Sequence, residues 1–108
     1  MMIDWTRVND LRAEIGDENF DEIVELFLQE ADMAVADLSG RLALADLGIA
    51  LHALKGSALN LGFDSLAQLC GAAELQATSG TLPDVDGIVA AYARSRSAFA
   101  EGRPIAAA

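Results

Sequence analysis

The chain has 108 residues, 17 of them acidic against 7 basic, for a formal net charge of −10. That length suits one compact domain, residues 1–108, able to bury a core unaided by metals or disulfides, and a single cysteine excludes an internal disulfide framework. Such an acidic surface repels nucleic acid and anionic lipid, and the abundance of Ala and Leu over β-branched and aromatic residues favours helix almost throughout. The first residues, Met1-Met2-Ile3-Asp4-Trp5, lack the features of a secretory signal, and no run of about 18 apolar residues suggests a membrane span. The expectation is a soluble cytoplasmic protein in which Cys70 is a small buried hydrophobe.

Start and stop signals divide the chain into five helices. Asp4 caps a short helix reaching about Glu14, and Gly16 with Asp17 ends it and begins the next. From Glu18 to about Leu38 the apolar positions Phe20, Val24, Phe27, Ala31, Ala34 and Leu38 keep the spacing of one buried stripe, until Ser39-Gly40 weakens the helix. Asp46 is read as the cap of a third helix extending to Asn60 or Leu61, with Gly62 as its left-handed stop. Asp64 is read as the cap of a fourth, Ser65 to about Thr78. Pro83-Asp84 opens the fifth, whose inward side carries Val85, Ile88, Tyr92 and Phe99 until Gly102 and Pro104 close it. Short connections after the second, third and fourth helices require antiparallel neighbours. The predicted fold is all-α: an antiparallel up-down four-helix bundle with an additional short N-terminal helix, a core over about 18–102 and a frayed tail at 105–108.

The third helix carries two stripes. Leu47, Leu51, Leu54, Ala58 and Leu61 share a narrow arc and face the core. His52, the one histidine of the chain, lies well off that arc, so the packing that buries Leu51 and Leu54 leaves the imidazole at solvent. The outer line through Ile49, His52, Gly56, Leu59 and Phe63 is mostly apolar where charged residues are usual, which suggests a docking surface for another protein unless the first helix covers part of it. Lys55, the one lysine, flanks the same patch, and the stretch Leu47 to Phe63 holds no Asp or Glu. Gly56 follows His52 by one turn. A mid-helix glycine costs about 1 kcal/mol relative to alanine, and here it leaves the space above the imidazole open. Gly48 has no comparable role beyond loosening the first turn, and Ser57 projects elsewhere with a local structural one.

A histidine at ordinary pH offers a ring nitrogen with a free lone pair, which can attack phosphorus, and a neighbouring ammonium can steady the phosphoryl oxygens. Other chemistries lack parts: there is no second histidine or cysteine cluster for zinc, residue 49 is Ile where a Glu-x-x-His pair needs Glu, and no glycine-rich nucleotide loop occurs. Any phosphoryl donor has to come from outside the chain.

The run His52-Ala53-Leu54-Lys55-Gly56-Ser57-Ala58, followed by Leu61-Gly62, resembles the signature of histidine phosphotransfer domains. The likeness extends from about Phe20 to Thr78 and takes in Leu66-Ala67-Gln68-Leu69-Cys70. The resemblance implies a monomeric helical bundle that accepts phosphate from a receiver-domain aspartate or a sensor or hybrid histidine kinase and passes it to another receiver, without ATP binding or kinase activity of its own. It further implies that His52 is the phosphoacceptor, that Lys55 supports the phosphoryl group, that Gly56 admits the receiver, and that no cofactor is bound, since Mg²⁺ belongs to the receiver's acidic pocket. Some members set a polar side chain of the next helix, often glutamine, beside the imidazole. Folding back about Phe63 brings the neighbourhood of Glu74 and Gln76 level with His52, and alignment through Gly62 selects Glu74, a carboxylate that orients a ring N–H but repels phosphate.

Two other readings compete. In one, a non-catalytic four-helix adaptor binds a partner through Ile49, Leu59 and Phe63 with His52 incidental. In the other, the chain resembles the dimerisation domain of histidine kinases, which demands a large apolar intermolecular face.

Overall fold

The computed structural model describes residues 1–40 and 42–102. These form five helices, α1 (Trp5–Ile15), α2 (Asp17–Ser39), α3 (Leu44–Leu61), α4 (Asp64–Thr78) and α5 (Val85–Gly102), with no strand among the described residues. The expected frayed tail at 105–108 and the Pro104 stop lie outside them. No described helix is long and apolar enough to cross a membrane.

Local chemistry sets most boundaries. The Asp4 carboxylate accepts from the Arg7 amide at 3.2 Å and caps α1, and Gly16 closes it. Two predicted caps are corrected. Helix α3 begins at Leu44 behind an Ala43 cap position, ahead of Asp46, because Leu42 and Leu44 pack against the core and draw the chain into helix earlier. Asp46 then lies in the first turn, where its charge favours the positive end of the helix dipole without capping it. Asp64 is the first residue of α4, not its cap, and its carboxylate accepts from the Gln68 amide at 3.0 Å.

The seam of α3 is closed: Leu47, Leu51, Leu54, Ala58 and Leu61 are all buried. They meet Phe20, Val24, Ala31, Ala34 and Leu38 of α2. Leu28 takes the buried position in that stripe, whereas Phe27 is only partly covered. From α5, Ile88, Tyr92 and Phe99 point inward and Val85 is partly covered. Helix α3 packs against both α2 and α4, α5 contacts α2 and α4, and α1 lies against α2 and α3.

The turn between α3 and α4 sets the register of the two helices. Gly62 adopts φ 75°, and a Cβ there would sit 2.7 Å from the Asp4 carbonyl oxygen, so only glycine suits both the left-handed backbone and the approach of α1. The Asp4 amide donates to the Gly62 carbonyl at 2.7 Å, seating the start of α1 on this turn. Phe63 then turns inward, its ring 5.5 Å from Phe99 and 6.4 Å from Tyr92, while Trp5 stacks on Phe99 at 5.8 Å.

Candidate functional site

With α4 folded back on α3 about Phe63, His52 and Glu74 stand equally far from the turn and are level. That register brings three groups together. Oε2 of Glu74 lies 3.2 Å from Nδ1 of His52, and Oε1 lies 2.9 Å from Nζ of Lys55. The imidazole side chain is 73% exposed, whereas that of Glu74 is only 22% exposed. Lys55 is half-buried, its stem running past Gly71 of α4. Glu74 Oε1 is buried, and the lysine ammonium compensates it as a close ion pair, not as a well-aligned hydrogen bond. Burial pushes the Glu74 carboxyl up, but the close Lys55 ammonium and the His52 ring beside it outweigh that and hold it below the ordinary glutamate value. Beneath them Cys70 is buried as expected. Desolvation, then the Glu74 charge, pushes its thiol up to about 12 against the opposing pull of Lys55, so it stays neutral.

Gly56 lies one turn from His52, and a Cβ placed on it would meet no atom within 4 Å. Its carbonyl accepts from the Asn60 amide at 3.0 Å. The open position borders a groove of about 720 Å³ between α2 and α3, with Met33, Ala34, Ile49, Ala50 and Ala53 among its lining. Ser57, given only a local role, is buried at the floor of this groove.

The apolar stripe is only partly as expected. Ile49 is 70% and Leu59 56% exposed, so both are available on the outer side of α3. Phe63 is 0% exposed and belongs to the core. A helical wheel projects correctly only while the helix continues, and the left-handed Gly62 ends it one residue before Phe63, which therefore does not share the face of Ile49 and His52.

Some neighbours of the site escape a reading of the sequence. Gly48, Ala45 and Thr78 line a hollow of about 320 Å³ with Ile49, His52 and Glu74, and Gly48 was detectable because it stands one turn ahead of His52. Exposed Leu75, next to Glu74 in sequence, and exposed Met33 on the rim of the α2–α3 groove extend the apolar surroundings. Neither carries a signal of its own on an amphipathic helix. No cluster of His, Cys, Asp and Glu able to hold a metal ion occurs among the described residues.

The site is thus an exposed imidazole with one ring nitrogen engaged by a carboxylate, an open backbone position one turn away and apolar side chains around it. The family model for the Hpt domain matches residues 22–98. The chain therefore belongs to the Hpt domain family, whose general activity is histidine phosphotransfer within phosphorelays, with receiver domains and kinases as partners. Comparison with curated proteins and with solved structures gave no significant match.

Proposed function

We propose that this chain is a phosphocarrier of a two-component phosphorelay in which His52 takes a phosphoryl group from a receiver aspartate, or from a sensor or hybrid histidine kinase, and gives it to another receiver. The observation that carries this reading is the exposed ring of His52 with Nδ1 held 3.2 Å from Glu74, which leaves Nε2 as the nitrogen available to a visitor. In the forward step the Nε2 lone pair attacks phosphorus. The bond from phosphorus to the aspartyl oxygen breaks, and its electron pair leaves with the aspartate carboxylate. The ring keeps its Nδ1 proton and becomes an N-phosphorylated imidazolium facing Glu74. Transfer to the next receiver is the same step reversed.

The receiver docks on Ile49, Leu59 and the neighbouring α2–α3 groove, and the missing side chain at Gly56 admits its active-site loops. Lys55, which shares the Glu74 carboxylate with His52, is the cation that supports the phosphoryl group. Mg²⁺ is supplied in the receiver's acidic pocket, and this chain works as one cytoplasmic, monomeric domain. We read the helices as an up-down four-helix bundle with α1 against one end, a topology supported by the short connections and by the seating of Asp4 on Gly62.

The test is incubation with a purified receiver from the same genome, phosphorylated beforehand. The chain should take up label within seconds to minutes, and His52→Gln should take up none. A His52→Gln protein that still accepts phosphate from the receiver overturns the assignment.

A further inference from the structure

We infer that the groove between α2 and α3 selects the visiting receiver by charge, taking one of its lysine or arginine side chains onto Ser57 beneath a rim of Glu30, Asp37 and Asp46. The inference deepens the docking proposed above and rests on His52 as the phosphoacceptor. The groove, of about 720 Å³, is lined along α3 from Asp46 to Asn60, about 20 Å of helix, and Gly56 opens onto it one turn from His52. A protein that brings an aspartate to the imidazole past Gly56 therefore covers it.

Two observations give the chemistry of the occupant. The first is charge. Glu30, Asp37 and Asp46 are exposed on the rim, and among the described residues none of their carboxylates has an ion-pair or hydrogen-bond partner. No lysine or arginine is present among the described residues that line the groove. Three unneutralised charges around one apolar concavity focus a negative potential into it. The second observation is Ser57, which is only 5% exposed yet lines the groove. Ser39 and Ser79 donate their hydroxyls to carbonyls four residues back on their own helices, whereas the Ser57 hydroxyl has no partner among the described residues. A buried hydrogen bond left unmade is costly, and a visiting polar group that reaches the floor makes it. Met33, Ala34, Ala50 and Ala53 leave an apolar passage to that hydroxyl. Lysine and arginine fit such a passage, with an apolar stem for the walls and a charged donor at the tip. An acidic side chain meets like charge here, and an apolar one leaves the hydroxyl unpaired. A second copy of this chain, with its own net charge of −10, is repelled.

The test uses Ser57→Ala, a groove triple (Glu30→Gln, Asp37→Asn, Asp46→Asn), both combined, and a control triple (Asp10→Asn, Glu22→Gln, Glu25→Gln). The control residues are exposed, lie outside the groove and change the net charge equally. Phosphotransfer from a phosphorylated receiver of the same genome is followed against receiver concentration and salt. The groove triple should raise KM about tenfold or more, leave the limiting rate unchanged and flatten the salt dependence. The control triple should shift KM less than about twofold. Ser57→Ala should raise KM about three- to tenfold in wild type and less in the groove triple, where the cation is no longer held. Equal shifts in the two triples, a wild-type KM in the groove triple or in Ser57→Ala, or an equal effect of Ser57→Ala in both backgrounds overturn the inference and leave the phosphocarrier reading standing. Light scattering that finds wild type dimeric, with the dimer altered by the groove triple and not by the control, assigns the groove to a second copy and overturns it too. Wild-type protein that takes no label from any receiver overturns both readings.

Discussion

At Gly56 the sequence accepts a less stable helix, and the surroundings show that packing does not require it. A Cβ meets nothing within 4 Å, so Gly56→Ala should stabilise the fold by up to about 1 kcal/mol, the helix-propensity difference. Gly56→Gln should also fold, because its longer side chain extends into open space, yet it should block transfer by occupying the approach to His52. Urea unfolding run beside the transfer assay checks both, and a Gly56→Gln protein that unfolds, or that transfers at the wild-type rate, contradicts the access argument. The site was legible at this scale where helical geometry alone decides. His52, Lys55 and Gly56 occupy the expected positions because three- and four-residue spacings define neighbours on one helix. Glu74 needed one more element of knowledge, the location of the turn, and Gly62 supplied it. Phe63 was misplaced because the wheel was carried past the point where the helix stops.

Among the elements, the α3–α4 turn is the device that aligns the site. Gly62 combines a left-handed φ of 75° with a backbone contact to Asp4 that leaves no room for a side chain. Gly62→Ala should therefore cost about 2 kcal/mol or more, from left-handed strain and displacement of α1 together. A fall in the urea midpoint with little change in slope is the expected signature, and an unaltered midpoint contradicts it. Helix ends marked by glycine were read closely: Gly16, Gly40 and Gly62 stand at the cap positions. Starts marked by an acidic residue were less legible. An aspartate favours a cap and a first turn for the same electrostatic reason, and at Asp46 and Asp64 apolar packing decided between them.

The whole molecule should have a stability limited at both ends of the pH scale by identifiable groups. Two carboxyls titrate below their ordinary values. Glu74 is one, and the other is Asp32, where burial raises the carboxyl but hydrogen bonds from Arg96 and Tyr92 outweigh it. A depressed folded-state pKa gives stability that is present above the ordinary values of 3.8 and 4.5 and is lost as pH falls through the folded ones. At the alkaline end the sign reverses. Burial raises Cys70 and Tyr92 to about 12, and their contribution, full below the ordinary values of 9.0 and 10.0, is lost as pH rises toward 12. Urea midpoints measured from pH 3 to pH 11 should fall on both sides, with the acid limb shallower in Glu74→Gln and Asp32→Asn; unchanged limbs in both variants contradict the assignment. Fold class was readable at this scale, since composition left helix as the only consistent choice. The α2–α3 groove was not, because its depth depends on the distance between two helices, and no pattern along either one encodes that.

That the exposed nitrogen of one imidazole carries phosphate is tested most directly by phosphorus NMR of the chain after transfer from a phosphorylated receiver. The expected spectrum has a single acid-labile phosphoramidate resonance assigned to Nε2 of His52 and absent from His52→Gln. A resonance from an acid-stable phosphoester, or a phosphoramidate that persists in His52→Gln, contradicts it.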